Sequence, residues 1–198
     1  MSPRPRLILA STSRYRRELL LRLCLPFDVQ SPGVDEEPRE GERPAALAQR
    51  LALEKAHAVA AAHPDAVVIG SDQVADLEGV SLGKPGTHMA ATMQLRSMRG
   101  RSVIFQTAVA VVHLSNGYVG TALVPVIVRF RQLTDAEIEH YLSVEQPYDC
   151  AGSAKVESLG IALLESVESD DPTALIGLPL IRTCALLREA GIDPLQAP

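Results

Sequence analysis

The sequence predicts an α/β protein with a mixed β-sheet, and three observations carry that expectation. Short buried-looking strands alternate with amphipathic helices over the first half, the pattern that builds parallel strand pairs. Two long runs rich in Val, Ile and Thr, 102–113 and 118–131, flank Ser115-Asn116-Gly117. That is a strong hairpin signal, and it adds antiparallel strands to the parallel ones. Finally, 198 residues that are 46% hydrophobic and 22% charged suit one domain, or two closely packed lobes, with a sizeable core. Trp is absent and aromatics are scarce, so Leu, Ile, Val and Ala must build that core.

In chain order, residues 6–10 (RLILA) read as a buried strand. Ser13 caps a helix reaching to about Cys24, with Leu19, Leu20 and Leu23 as its inner stripe. Pro26 stops it, and FDVQS suggests a second short strand. The acidic stretch SPGVDEEPREGERP, with Pro32, Pro38 and Pro44, is loop-like. A long helix follows over about 44–62, with Leu47, Leu51 and Ala58 on one face. AVVIGS (66–71) is the cleanest buried strand and is expected to end at Asp72. GVSLGKPGT reads as a loop, and Thr87 caps a helix to about Met98 that Gly100 stops. After the hairpin, Thr134 opens a helix with Glu137 in the capping-box position. Residues 159–164 suggest a last strand, and 178–190 a last helix with Pro179 in its first turn. There is no internal repeat. The hairpin region can form a lobe of its own, and a cleft between lobes is a natural ligand site.

Charge narrows the function. The net charge of −5 argues against general nucleic-acid binding. Six arginines and one glutamate fall within the first 22 residues, so a basic segment sits on an otherwise acidic chain. That suits one anion site better than a polyanion track. Cys24, Cys150 and Cys184 are odd in number, widely spaced and without a C-x-x-C pair. Free core thiols in a reducing compartment are expected, not a disulfide framework or a zinc site. The apolar stretch near the N-terminus is interrupted by Ser, Thr and Arg, unlike a secretion signal. No apolar run approaches the roughly 18 residues of a membrane span, so the cytoplasm is the simplest location.

Several residues are placed for chemistry. A strand, a small-residue turn and a helix start leave free backbone N–H groups at a strand's C-terminal end, where phosphate binds readily. Ser11, Thr12 and Ser13 add hydroxyls there, and Arg16 can grip phosphate oxygens in pairs. An ordinary helix cap with solvent-facing arginines accounts for the same residues. Lys55 falls near the apolar face of the long helix by spacing from Leu47 and Leu51. It must either snorkel outward or meet an anion. Asp72 follows the buried strand VVIGS, at the place where ligands gather in open α/β sheets. A carboxylate there can bind a divalent metal or take a proton from water, although an Asp capping a turn is the plain alternative. Asp35 and Glu36 can share a magnesium ion or simply be solvated. Lys84, between Gly83 and Pro85, is held by a stiffened loop. The five histidines show no metal-ligand spacing.

Taken in order, LILASTSRYRRELL, VDE, LALEKA, IGSDQV, GKP, CAGSAKVE and GLPL resemble the Maf-like nucleotide pyrophosphatases over nearly the whole chain. The resemblance implies a single Maf-like domain over 1–198. It implies a long mixed β-sheet flanked by helices, with two lobes around a central cleft. It further implies hydrolysis of a nucleoside triphosphate to the monophosphate and pyrophosphate with a divalent metal, Mg²⁺ or Mn²⁺. Within the family, Gln73 after the aspartate and Glu157 in KVE resemble the branch acting on 7-methyl-GTP, where the dTTP and UTP branch commonly has Thr and Gln. A methylated guanine carries positive ring charge, which a carboxylate suits. Tyr15 stands where this branch usually has Trp, a smaller face for stacking on a cationic base.

The roles implied by resemblance follow. Ser11 and Arg16 hold phosphate oxygens, and Lys55 and Lys84 neutralise the triphosphate. Glu36 and Asp72 hold metal, with Asp72 also activating water. Tyr15, Gln73 and Glu157 select the base. The partner expected is a nucleotide, with a homodimer open by resemblance. The alternatives are the same reaction on dTTP, UTP or another non-standard nucleotide, a non-catalytic nucleotide-binding regulator of cell division, or a plain interaction protein.

Overall fold

The computed structural model describes residues 5–196, so Arg4 of the basic opening segment lies outside the described residues. Among them, seven strands form one mixed sheet. They are β1 (Leu7–Ala10), β2 (Asp28–Gln30), β3 (Val67–Leu77), β4 (Val80–Leu82), β5 (Ser102–His113), β6 (Tyr118–Phe130) and β7 (Leu164–Glu168). The order is β2-β1-β3-β5-β6-β7, with β4 also pairing with β3. β1 pairs in parallel with both β2 and β3. β3–β5, β5–β6 and β6–β7 are antiparallel. Both expectations about the sheet therefore hold, parallel pairing early and a hairpin late. Gly117 closes the hairpin with a φ of 72°, a left-handed conformation that costs glycine little.

Five helices among the described residues flank the sheet: α1 (Arg14–Leu21), α2 (Pro44–Ala60), α3 (His88–Met98), α4 (Asp135–Glu145) and α5 (Leu180–Glu189). Ser13 and Thr87 cap α1 and α3, their side chains accepting from Arg16 N and Ala90 N. Thr134 and Glu137 complete the capping box of α4.

Side-chain alternation sorts the strands between layers. Ile8, Val68, Ala110 and Val112 pack with Ala48, Ala52, Ala56 and Val59 of α2. Leu9, Ile69, Val109 and Val111 turn the other way, toward Leu19 and Leu20 of α1 and Leu187 of α5. Further along the same strands, Ala75, Phe105, Val126 and Val128 enter a third core with Leu95 of α3 and Leu142 of α4. The two lobes thus share β3, β5 and β6. Between the cores the strands turn polar: Ser71, Asp72, Gln106 and Thr107 are all buried.

Several element expectations are corrected. β3 does not end at Asp72; it continues to Leu77 because β5 pairs with it from Val68 to Asp76. GVSLGKPGT is not wholly loop, since Val80–Leu82 add a strand against β3. Residues 159–163 form a 3₁₀ turn, and the last strand is Leu164–Glu168, LESVE. It hides from an apolar search because it lies at the sheet's edge, largely exposed. Pro179 caps α5 from outside the helix. The buried stripe of α2 drifts around the helix, from Leu47 and Leu51 to Ala56, Val59 and Ala60, which leaves Ala58 on the open side. The three thiols are free, but Cys24 is exposed and the others are only partly covered.

Candidate active site

The site begins as a gap in strand pairing. β1 accompanies β3 only as far as Ala10, opposite Gly70. On that same flank β4 joins β3 again at Ala75. Among the described residues, 71–74 of β3 therefore have no strand neighbour there, while β5 holds them from the other side. Asp72 occupies this opening, just past the C-terminal end of the parallel part, where open sheets bind ligands.

Gly70 sets the distance to α2. A Cβ there would stand 2.2 Å from Ala52 O and 2.6 Å from Ala56 N, both backbone atoms. Only glycine permits so close an approach. The same helical turn, Ala52 to Ala56, carries Lys55, whose side chain reaches Asp72 two residues along the same strand face. Lys55 Nζ donates to Asp72 Oδ1 at 2.7 Å and meets Glu36 Oε1 at 2.6 Å. Lys55 is 4% exposed and Asp72 7%, so the ammonium meets anions and does not snorkel.

Further cations surround this pair of acids. Desolvation would raise the Glu36 carboxyl, but the Lys55 contact and the charges of Lys84 and Arg16 outweigh it and hold its pKa below the ordinary range. Lys84 itself is solvent-exposed on the Gly83–Pro85 loop. Burial pushes the Arg16 guanidinium down, while Asp72 and Glu36 oppose that shift. Arg16 Nε donates to Gly177 O at 2.8 Å; its two terminal nitrogens have no partner among the described residues. Ser11, 3% exposed, follows the end of β1, and its Oγ accepts from Ser13 N at 3.1 Å.

The loop carrying Glu36 is tied down from α2. Arg50 bonds both oxygens of Glu42, Oε2 of Glu54 and the Glu37 carbonyl. Its hydrogen bond, with one from Arg39 N–H, pulls the Glu42 carboxyl down to about 2.

On the opposite face of β3, Ser71 and Gln73 hold the segment before α5. Ser71 Oγ lies within hydrogen-bond distance of Ala108 O (2.7 Å) and Gly177 O (2.9 Å), and its one proton serves one of them at a time. Gln73 Nε2 shares two protons among Thr107 Oγ1, Ala174 O and Leu175 O. Thr107 Oγ1 also donates to Ala174 O at 3.0 Å.

A second group of residues gathers around Tyr15. Arg14 Nη2 donates to the Tyr15 hydroxyl at 2.7 Å, and the guanidinium lies 4.7 Å from the ring centroid. Cys150 Sγ lies 3.9 Å from the same hydroxyl. Glu157 is an exposed residue whose carboxyl is raised chiefly by desolvation, then by Glu145, against the pull of Lys155 and Arg14. Its neighbour Lys155 is taken by Glu145 at 2.5 Å. Glu157 therefore has no ion pair among the described residues. Its loop is fixed by Tyr141, whose hydroxyl donates to Ser153 O and accepts from Lys155 N.

Of the residues singled out from sequence, Asp72, Lys55, Glu36, Arg16 and Lys84 thus act on one another, and Tyr15 and Glu157 share the neighbourhood of Arg14. Ser11 and Gln73 stand outside both groups: Ser11 Oγ accepts from Ser13 N, and the Gln73 amide nitrogen is committed to Thr107 Oγ1 and two backbone carbonyls. Sequence reasoning missed Gly70, Ser71, Thr107 and Arg14. A glycine inside a strand pattern was the available signal for the first; Ser71 and Thr107 emerge only from register, and Arg14 only from its packing on Tyr15. Two surface hollows, lined by Leu25, Pro26, Phe27 and Asp28 among others, lie beside β2 and include neither Asp72 nor Lys55.

Two acids and three cations at a gap in a mixed sheet define an α/β protein with a charged cleft. The Maf-like protein family matches residues 6–190, and the chain belongs to that family. It is 67% identical over 186 residues to a protein of Polaromonas sp. named 7-methyl-GTP pyrophosphatase, covering 94% of this chain and 85% of the relative. A protein of Albidiferax ferrireducens with the same name is 63% identical, covering 97% and 96%. One of Bordetella avium, again so named, is 56% identical over the full length of both chains.

Proposed function

We propose that the chain is a nucleotide pyrophosphatase that hydrolyses 7-methyl-GTP to 7-methyl-GMP and pyrophosphate. The observation carrying this reading is the position of Lys55, within 2.7 Å of both Asp72 and Glu36, with the charges of Arg16 and Lys84 close by. The names of the relatives supply the substrate.

Glu36 and Asp72 fit a divalent cation. Both present hard oxygen donors, and both already reach one positive centre. They would hold Mg²⁺ or Mn²⁺, which when bound supplies positive charge to the phosphates and acidifies a water. The chain's own residues do the rest. Arg16 grips phosphate oxygens with its two terminal nitrogens, and Ser11 contributes a hydroxyl at the end of β1. Lys55 and Lys84 offset the negative charge that builds as the pyrophosphate leaves. Asp72, oriented by its hydrogen bond to Lys55, takes the proton from the water that attacks the α-phosphorus. The new P–O bond forms from that water, the α–β bridging bond breaks, and pyrophosphate departs with the electron pair. No covalent enzyme intermediate is needed.

Tyr15 offers a ring face to the base, and Glu157 accepts from N1–H and N2–H₂ of the methylated guanine. Gln73 contributes by fixing residues 174–175 as a wall of the cleft. A net charge of −5 supports a nucleotide partner over a nucleic acid. A cytoplasmic setting and assembly as a homodimer go with the same reading; among the described residues no helix is long and apolar enough to cross a membrane.

Pyrophosphate release from 7-methyl-GTP, GTP, dTTP, UTP, CTP and ITP with Mg²⁺ or Mn²⁺ tests the proposal. A preference for 7-methyl-GTP is expected, together with a loss of about 10²–10⁴ in kcat for a folded Asp72→Asn. Pyrimidine preference would overturn the base assignment. Near-normal turnover in Asp72→Asn would overturn the role of Asp72, and tight binding without release would favour a regulator.

A further inference from the structure

The group around Tyr15 contains a charge that the proposed reaction does not use. Arg14 is the first residue of α1, exposed, and without an ion pair among the described residues. Its guanidinium is nonetheless placed. It covers the Tyr15 ring at 4.7 Å and bonds the Tyr15 hydroxyl at 2.7 Å. The neighbouring cation, Lys155, is engaged by Glu145. Arg14 is therefore the uncommitted positive charge beside Tyr15 and Glu157.

A ring face accommodates one cation at a time. A base carrying positive charge either displaces the guanidinium from the face it covers or stacks on the opposite face; both arrangements leave the two charges close, so they repel. A neutral base escapes that penalty, because a guanidinium stacks favourably on a neutral aromatic and can close over its other face. Glu157 and Arg14 thus pull in opposite directions: the carboxylate favours a charged base and the guanidinium disfavours one.

We propose that Arg14 is a specificity-determining residue that occupies the Tyr15 face in the free protein and lowers the discrimination between a cationic and a neutral purine. This rests on the base pocket assigned above. The shorter reach and greater hydration of lysine make charge and stacking separable.

The test compares 7-methyl-GTP with GTP, which differ in the methyl group and the ring charge it brings. Calorimetric binding of 7-methyl-GMP and GMP is measured alongside. Arg14→Ala and Arg14→Gln are expected to raise the ratio of kcat/KM for 7-methyl-GTP over GTP by roughly three- to tenfold. Arg14→Lys, which keeps charge but loses the planar stack, is expected to fall between them and the unsubstituted protein. The product-binding ratio should move in the same direction. An equal rise in KM for both nucleotides would make Arg14 a phosphate contact and overturn the proposal, as would an unchanged or reduced ratio. If the unsubstituted protein does not prefer 7-methyl-GTP but Arg14→Ala still shifts the binding ratio, the substrate assignment fails and Arg14 keeps its role. If neither monophosphate binds, both fail.

Discussion

Glu157 and Asp72 are both carboxylates, and their surroundings give them different work. Asp72 is buried and shares its Oδ1 with an ammonium. Glu157 is open to solvent, unpaired among the described residues, and raised by desolvation. Its ionised form is the one that accepts from a guanine edge. Because its pKa is raised, protonation begins at a higher pH than for an ordinary glutamate. Preference for 7-methyl-GTP over GTP should therefore decline as pH falls, starting above about 4.3, the usual glutamate value. In Glu157→Gln the ratio should be low and flat with pH; a ratio that still varies as in the unsubstituted protein would remove Glu157 from base reading. At this scale much was legible in the sequence. Lys55 had to be either snorkelled or paired, and an apolar helix face left few ways out. Asp72 was found by a strand end that proved to be the end of its neighbour, β1, and not of β3. Arg14 was not legible, because nothing in its spacing says that it lies on the ring of the next residue.

At the scale of elements, Gly70 governs how α2 and β3 meet. The contacts a Cβ would make are with backbone, which cannot step aside as a side chain can. Gly70→Ala should lower stability by about 1–3 kcal/mol, the usual cost of overpacking. It should also reduce kcat, because Lys55 and Asp72 would be moved apart. At Gly83 a Cβ would meet nothing within 4 Å, so Gly83→Ala provides the stability control. Urea midpoints and turnover for the two variants check this, and equal midpoints would count against the close-packing argument. Helix starts were readable here because Ser13, Thr87 and Thr134 act through local hydrogen bonds. The short strands β4 and β7 were not, because their pairing depends on register with other strands, neither has a buried residue, and β7 is largely exposed.

At the largest scale, the three apolar cores among the described residues are joined through β3, β5 and β6, so none can lose its strands alone. Thermal and urea unfolding should each show one transition, coincident by far-ultraviolet circular dichroism and tyrosine fluorescence, if the chain folds as the single domain expected from sequence. Two separated transitions would divide the lobes. Acid should weaken the molecule in a defined window. Glu42 titrates at about 2 in the folded chain, mainly through Arg50, and near 4.3 when unfolded. Its contribution is complete above the unfolded value and is lost as pH falls toward about 2. Arg50→Met should flatten the fall of the urea midpoint across that window. The alternation of strands and helices made the parallel half readable, and Ser115-Asn116-Gly117 the hairpin. The polar belt between the cores was not, since Thr107 and Gln106 of β5 join Ser71 and Asp72 of β3 only when Gln73 is set opposite Thr107 and Val74 opposite Gln106.

That belt has a mechanical consequence. A cleft between two separately folded bodies closes by bending a joint, and its reacting groups travel with each half. Here the floor of the cleft is a continuous ribbon of β3, β5 and β6, so the two sides of Asp72 cannot swing apart without breaking strand pairs. The rim is built differently: Lys84 sits on an exposed loop and Arg14 on an exposed helix start, whereas the loop of Glu36 is tied to α2 through Arg50. The molecule is an anvil with an exposed rim, so substitutions at Lys84 or Arg14 change what the cleft selects while the anvil stays unchanged.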